Sequence, residues 1–199
     1  EENIMPLGAN KAAIMGVAGV STGDVVLLSS QTASNSASIS FTSDIDSTYG
    51  EYIFKFYNIN AATDAAEFSF QANAAAASGY NETMTTTTFR AFNRESGSSP
   101  ELAYVADYDQ AQGTGFQSLT ENTGNGADEC SAGELHLFNP SSTTYVKHFY
   151  ARTNSYHSSD ITLDMFTAGY FNITAAIDEI QFKMDSGNFD GKIKMWGVK

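Results

Sequence analysis

Glu51-Tyr52-Ile53-Phe54-Lys55-Phe56-Tyr57-Asn58-Ile59 is the stretch that decides the fold. In an extended chain Tyr52, Phe54 and Phe56 point one way, and Ile53, Lys55 and Tyr57 point the other. That is the period-two alternation of a half-buried β-strand. The same pattern recurs outward in both directions. Residues 35–42 set Ala37, Ile39 and Phe41 against serines, and residues 67–73 set Phe68, Phe70 and Ala72 against Ser69 and Gln71. Residues 24–30 form a continuous apolar run, and residues 84–94 are rich in β-branched Thr. Further strands are expected at 131–138, 143–152, 165–172, 177–184 and 192–198, with shorter ones near 102–104 and 115–119. This gives about ten to twelve strands separated by turn residues, with no βαβ alternation. The expected fold is all-β: an antiparallel β-sandwich, jelly-roll-like, over residues 24–199. Residues 1–23 are small-residue rich and irregular, and read as an N-terminal arm or attachment segment.

Composition narrows the function classes. The chain has 199 residues and a net charge of −13. Such a charge argues against nucleic acid, which needs a basic footprint, and against anionic lipid. Charged residues are 17% of the chain, below the roughly 25% usual in soluble domains. From Glu95 to Val146 there is no Lys or Arg, yet the span holds Glu95, Glu101, Asp107, Asp109, Glu121, Asp128, Glu129 and Glu134. A solvated acidic surface accounts for this, and a cation site is the alternative. No stretch is long and apolar enough to cross a bilayer as a helix. Residues 9–20 imitate a signal peptide only loosely, being mostly Ala and Gly after Glu1 and Glu2.

No catalytic residue is assigned. The single cysteine, Cys130, excludes an intrachain disulfide and reads as a small structural thiol. His136, His148 and His157 form no short-spaced metal pair. Asp107 with Asp109, and Asp178 with Glu179, are pairs that an acidic chain yields by chance, and the lone Trp196 gives little for a sugar-stacking cleft. There is no Gly-x-Ser-x-Gly elbow. Asp185, Asn188 and Asp190 supply oxygens between Gly187 and Gly191, which makes them calcium candidates. A hairpin turn explains the same residues and is preferred. No other cofactor is implied. Tyr80, Tyr104, Tyr108 and Tyr156 sit beside Ser, Asn and Asp in expected loops, as contacts for a glycan or a protein partner. Ile53 and Tyr57 lie opposite the core positions of their strand and are the expected oligomer contacts.

Four stretches together carry a resemblance. They are Met5-Pro6-Leu7-Gly8-Ala9-Asn10-Lys11-Ala12-Ala13, Ser47-Thr48-Tyr49-Gly50-Glu51-Tyr52-Ile53-Phe54-Lys55-Phe56, Gly133-Glu134-Leu135-His136-Leu137-Phe138-Asn139-Pro140-Ser141-Ser142, and the closing Ile177-Asp178-Glu179-Ile180-Gln181-Phe182 through Ser186-Gly187-Asn188-Phe189-Asp190-Gly191-Lys192 to Gly197-Val198. In these the chain resembles a group of virion proteins of tailed phages, especially marine ones. The motifs are strand and turn motifs rather than site motifs, so no functional residue carries over from them. The resemblance implies a non-enzymatic structural protein on the virion surface: a tail fibre, or a capsid fibre or decoration. It implies a homo-oligomer with a trimer favoured, attachment to other virion proteins through the arm, and contact with host-surface glycan. A carbohydrate-binding, lectin-like module is the alternative. Met5 resembles the start of the group's pattern, which makes residues 1–4 an expected upstream extension or the mark of a different start choice.

Overall fold

The computed structural model describes residues 24–199. The expected arm, residues 1–23, lies outside the described residues. Thirteen strands build two sheets that pack face to face, and every strand pair is antiparallel. The fold is an all-β sandwich. The strands are β1 (Val25–Ser36), β2 (Ile39–Phe41), β3 (Glu51–Ala61), β4 (Phe68–Ala74), β5 (Met84–Arg94), β6 (Glu101–Tyr104) and β7 (Ala111–Gly113). They continue with β8 (Gln117–Ser118), β9 (Ser131–Phe138), β10 (Lys147–His157), β11 (Ile161–Phe171), β12 (Ile177–Met184) and β13 (Phe189–Val198).

The two sheets are unequal. The large one runs β1-β13-β3-β9-β10-β11-β5-β6, with β7 also on β5; the small one runs β2-β12-β4-β8. Alternation along each strand fills the space between them. Tyr52, Phe54 and Phe56 of β3, Leu135 and Leu137 of β9, Phe149 of β10, and Ile193 and Met195 of β13 are buried from the large sheet. Ile39, Phe41, Phe68, Phe70, Ile180, Phe182 and Met184 meet them from the small one. Phe182 is the hub. Its ring lies 5.2 Å from that of Phe56, 5.4 Å from Phe54, 5.8 Å from Phe68, 6.2 Å from Phe41 and 6.3 Å from Phe70. Most of these pairs are edge-on or tilted, the arrangement favoured by the ring quadrupole.

The outer faces differ more than the inner ones. Strand β4 is buried on both sides. Its outward Gln71 amide donates to the carbonyls of Glu82, Thr114 and Gly115 at 2.9 to 3.2 Å, so the segment leading into β8 covers that face. Among the described residues the outer face of the large sheet has no such cover across its centre: Tyr57, Phe89 and Tyr150 are exposed there.

Several expectations shift. β1 continues through 31–34, which read as a break, with register shifts at Leu27/Ser29 and Ala33/Ser36 that bend this edge strand. β10 runs to His157, five residues past its expected end, and β11 begins four residues earlier than expected. β7 carries no alternation and was not expected. The segment 185–188 does not close a hairpin. It joins β12 of the small sheet to β13 of the large one. Gly187 takes φ +72° in this crossing, where a Cβ would fall 2.2 Å from the Thr63 hydroxyl, so turn chemistry and close approach both demand glycine.

Truncating the hub gives a direct check. Phe182→Ala is expected to cost about 3–5 kcal/mol in urea unfolding, while Tyr57→Ala on the open face stays within about 0.5 kcal/mol. Equal effects at the two positions would contradict this division between core and free surface.

Candidate functional site

Antiparallel register sets outward side chains of the large sheet into rows across the strands. One row is Leu27, Trp196, Ile53, His136, Tyr150 and Ala168. The next is Lys194, Lys55, Glu134, Arg152, Phe166 and Phe89. Thus one row is largely apolar and aromatic, and its neighbour carries fixed charge that grades into stacked rings.

The details hold these side chains in place. The His136 ring stacks on Tyr150 with centroids 4.5 Å apart. Its Nδ1 faces the Glu51 carboxylate, and its Nε2 lies 3.4 Å from Glu134 Oε1. Glu134 also takes Lys55 Nζ at 3.4 Å. Burial alone would raise the Glu134 carboxyl, but His136 and Lys55 outweigh it and hold the group below the usual carboxylate range. Arg152 donates from Nε and Nη2 to Asp164 at 2.8 to 3.2 Å and lies 4.9 Å over the Phe166 ring, which stacks on Phe89 at 4.7 Å. Lys194 Nζ sits 5.3 Å over the Tyr57 ring and 6.0 Å from that of Trp196, within cation–π range. Shallow recesses lie along this face. One of about 560 Å³ is bordered by Thr32, Tyr57, Lys192 and Lys194. Another of about 540 Å³ lies over Lys55, Glu134, Arg152 and Asp164. An apolar one of about 330 Å³ lies between Phe89, Tyr150 and Phe166. The arrangement offers ring faces and paired charges across a broad open surface, the equipment of contact and recognition.

The residues expected from sequence divide. Ile53 and Tyr57 both point to this face, Ile53 half-buried between Trp196 and His136 and Tyr57 exposed under Lys194. The four tyrosines do not converge. Each donates its hydroxyl to a carboxylate: Tyr80 to Glu179 at 2.9 Å, Tyr108 to Glu67 at 2.9 Å, Tyr156 to Asp160 at 3.0 Å, and Tyr104 to Asp109. Tyr104 and Tyr156 lie in strands rather than loops. Tyr80 is in the β4–β5 connection, and Tyr108 ends a single 3-10 turn at Ala106–Tyr108. Burial is the first cause of the raised Tyr80 and Tyr108 phenols, and the Asp160 hydrogen bond is the first cause for Tyr156.

The calcium candidates serve the backbone instead of converging on a point. Asp185 Oδ1 accepts from the Glu67 amide at 2.8 Å, Asp190 Oδ1 from the Asn35 amide at 2.7 Å, and Asn188 Nδ2 donates to the Asn35 carbonyl at 2.9 Å. They pin the sheet-crossing segment to the ends of β1 and β4. Among the described residues no group of three His, Cys, Asp or Glu side chains is placed to share a metal ion.

Sequence reasoning passed over Trp196, Tyr150, Phe166 and Lys194. The signal was present: each lies at the position opposite a core residue, as Ile53 does opposite Phe54. What the sequence lacked was the strand order that sets these residues side by side.

One buried group titrates usefully. Lys147 points inward from β10, fully buried, with Nζ donating to the carbonyls of Tyr145 at 3.0 Å and Ile173 at 3.3 Å and, among the described residues, with no carboxylate in its ion-pairing range. Burial lowers its pKa. Between that lowered value and the unfolded value of about 10.4 the unfolded chain binds more protons, so this lysine makes stability rise with pH. The raised phenols of Tyr52, Tyr80, Tyr108, Tyr150 and Tyr156 act the other way. Their contribution is complete below about pH 10 and is lost as pH climbs through their folded values. The Lys147→Met variant shares those tyrosines, so the difference isolates the lysine. It is expected to be more stable than the parent at neutral pH, by on the order of 1 kcal/mol, with the gap narrowing toward pH 10. A gap that does not change with pH would contradict the assignment.

No protein-family model matches this chain, and no curated protein matches it.

Proposed function

We propose that this chain is a non-enzymatic structural protein of a tailed-phage particle, a surface appendage of the tail-fibre or capsid-fibre and decoration type. It assembles as a homo-oligomer and joins other virion proteins through its N-terminal segment. The observation that carries the reading is the contrast between the two outer faces. Strand β4 of the small sheet is closed over by its own chain, whereas the large sheet presents rings and paired charges to the outside. A surface of that composition is suited to contact with another macromolecule, and aromatic residues with Arg are what interface cores enrich. The resemblance of the strand and turn motifs to phage virion proteins supports the same reading, as does a strongly acidic surface that keeps a high-copy protein soluble.

A second reading, a glycan-binding module, is favoured by the exposed rings of Tyr57, Tyr104 and Tyr150, which offer sugar-stacking faces. The two readings separate on a glycan array run with and without calcium. Binding that is lost in Tyr150→Ala while folding is retained favours the module.

The appendage reading is tested on particles. Antiserum raised against residues 24–199 is expected to decorate the outside of intact virions in electron micrographs, with the chain recovered among their dissociated proteins. Absence from both would overturn it.

A further inference from the structure

The large sheet is electrically lopsided. At its β1-β13-β3 end the neighbouring strands β13 and β3 carry Lys55, Lys192 and Lys194, three of the seven lysines of the chain. Lys192 and Lys194 form no ion pair among the described residues and border the recess that holds Tyr57, whose one carboxylate, Asp190, accepts from the Asn35 amide at 2.7 Å. At the opposite edge lie β6 and the 3-10 turn, inside the stretch free of Lys and Arg. Glu101 and Asp107 are exposed there, Asp109 is close by, and Leu102 and Tyr104 stand out at 75% and 63% exposure. Arg90, on β5, offsets part of this charge by pairing with Glu121 and Glu101.

The two ends are six strand spacings apart, roughly 30 Å. At physiological salt the screening length is about 8 Å, so the ends do not neutralise each other within one molecule. Among the described residues the sheet also stays open, with β1 at one edge and β6 and β7 at the other. The complement of each end is therefore the other end of a second copy.

We propose that copies of this chain associate head to tail, the acidic β6 edge of one seating Leu102 and Tyr104 on the lysine recess of the next. Lys192 and Lys194 face Glu101 and Asp107 across the contact, with Tyr57 as the apolar floor. This deepens the homo-oligomer of the proposed function and rests on that reading. The contact is heterologous, so it closes into a ring when the rotation between copies permits. Edge strand β6 has only four residues, so side chains rather than an extended ladder carry the contact.

Charge reversal tests the pairing by sedimentation velocity over a concentration series. Lys192→Glu with Lys194→Glu, and separately Glu101→Lys with Asp107→Lys, are each expected to weaken self-association at least roughly tenfold. Circular dichroism and melting temperature serve as the check that both variants stay folded. Mixing the two variants in equal amounts is expected to restore association, because the acidic recess of one then meets the basic edge of the other. Raising salt from roughly 0.1 M to roughly 1 M shortens the screening length from about 10 Å to about 3 Å and is expected to weaken the parent assembly. Parent protein that stays monomeric at all concentrations overturns the proposal, as do variants that assemble like the parent and mixtures of folded variants that stay apart. None of these outcomes alters whether antiserum labels the virion, so failure of this contact is distinguishable from failure of the appendage reading.

Discussion

The rest of the structure depends on the contact between Phe182 and the five rings around it. A four-stranded sheet has little backbone hydrogen bonding to offer a nine-stranded one. What joins them is apolar surface removed from water, at about 25 cal/mol per Å². Phe182 sits where β12 brings the small sheet over β3 of the large one, and it touches rings from both. The opening stretch of sequence supplies two of those rings, Phe54 and Phe56. Alternation then forces Ile53, Lys55 and Tyr57 to the far side. Core and contact face are thus two consequences of one strand pattern.

That constraint also decides which surface is left for function. The inner faces are consumed by packing, and β4 of the small sheet is closed over by the chain that follows β7. The large sheet keeps an open face. Its charges are ordered across neighbouring strands, so Glu134 answers both Lys55 and His136 while Arg152 answers Asp164. Pairs this exposed add little to stability, typically under about 1 kcal/mol. In the proposed contact they would act on partner choice and orientation, which is the role of electrostatic complementarity at interfaces.

The legibility of the molecule follows the range of its interactions. Local alternation exposed β3, β5, β9, β12 and β13, because in each one face is buried and the other is not. It also located β4, but not that both of its faces are buried: Gln71 looks like a solvent residue until its three carbonyl partners are seen. It failed at β7, three residues long and held by pairing with β5. The segment 185–191 was expected to be a turn; only 185–188 connect the strands, since β13 begins at Phe189, and its Gly, Asn and Asp residues do not reveal whether the next strand returns to the same sheet. The open face was half legible. Ile53 and Tyr57 were placed outside the core from one strand, while Trp196, His136 and Tyr150 needed the order β13-β3-β9-β10, which long-range pairing alone sets. The tyrosines chosen for their polar neighbours do not converge on one site, which the sequence also could not show. Their hydroxyls are held by carboxylates both near and far along the chain, from Tyr156 with Asp160 to Tyr80 with Glu179.

Trp196 is the single tryptophan, and it lies on the open face beside Lys194 and Ile53. Its fluorescence therefore reports on the working surface alone. The most direct measurement is quenching of that fluorescence by acrylamide as protein concentration is raised. If the outer face of the large sheet is where copies meet, quenching falls and the emission shifts to the blue as the chain associates. A tryptophan that stays equally accessible while the mass of the particle grows would place the contact elsewhere and contradict the account.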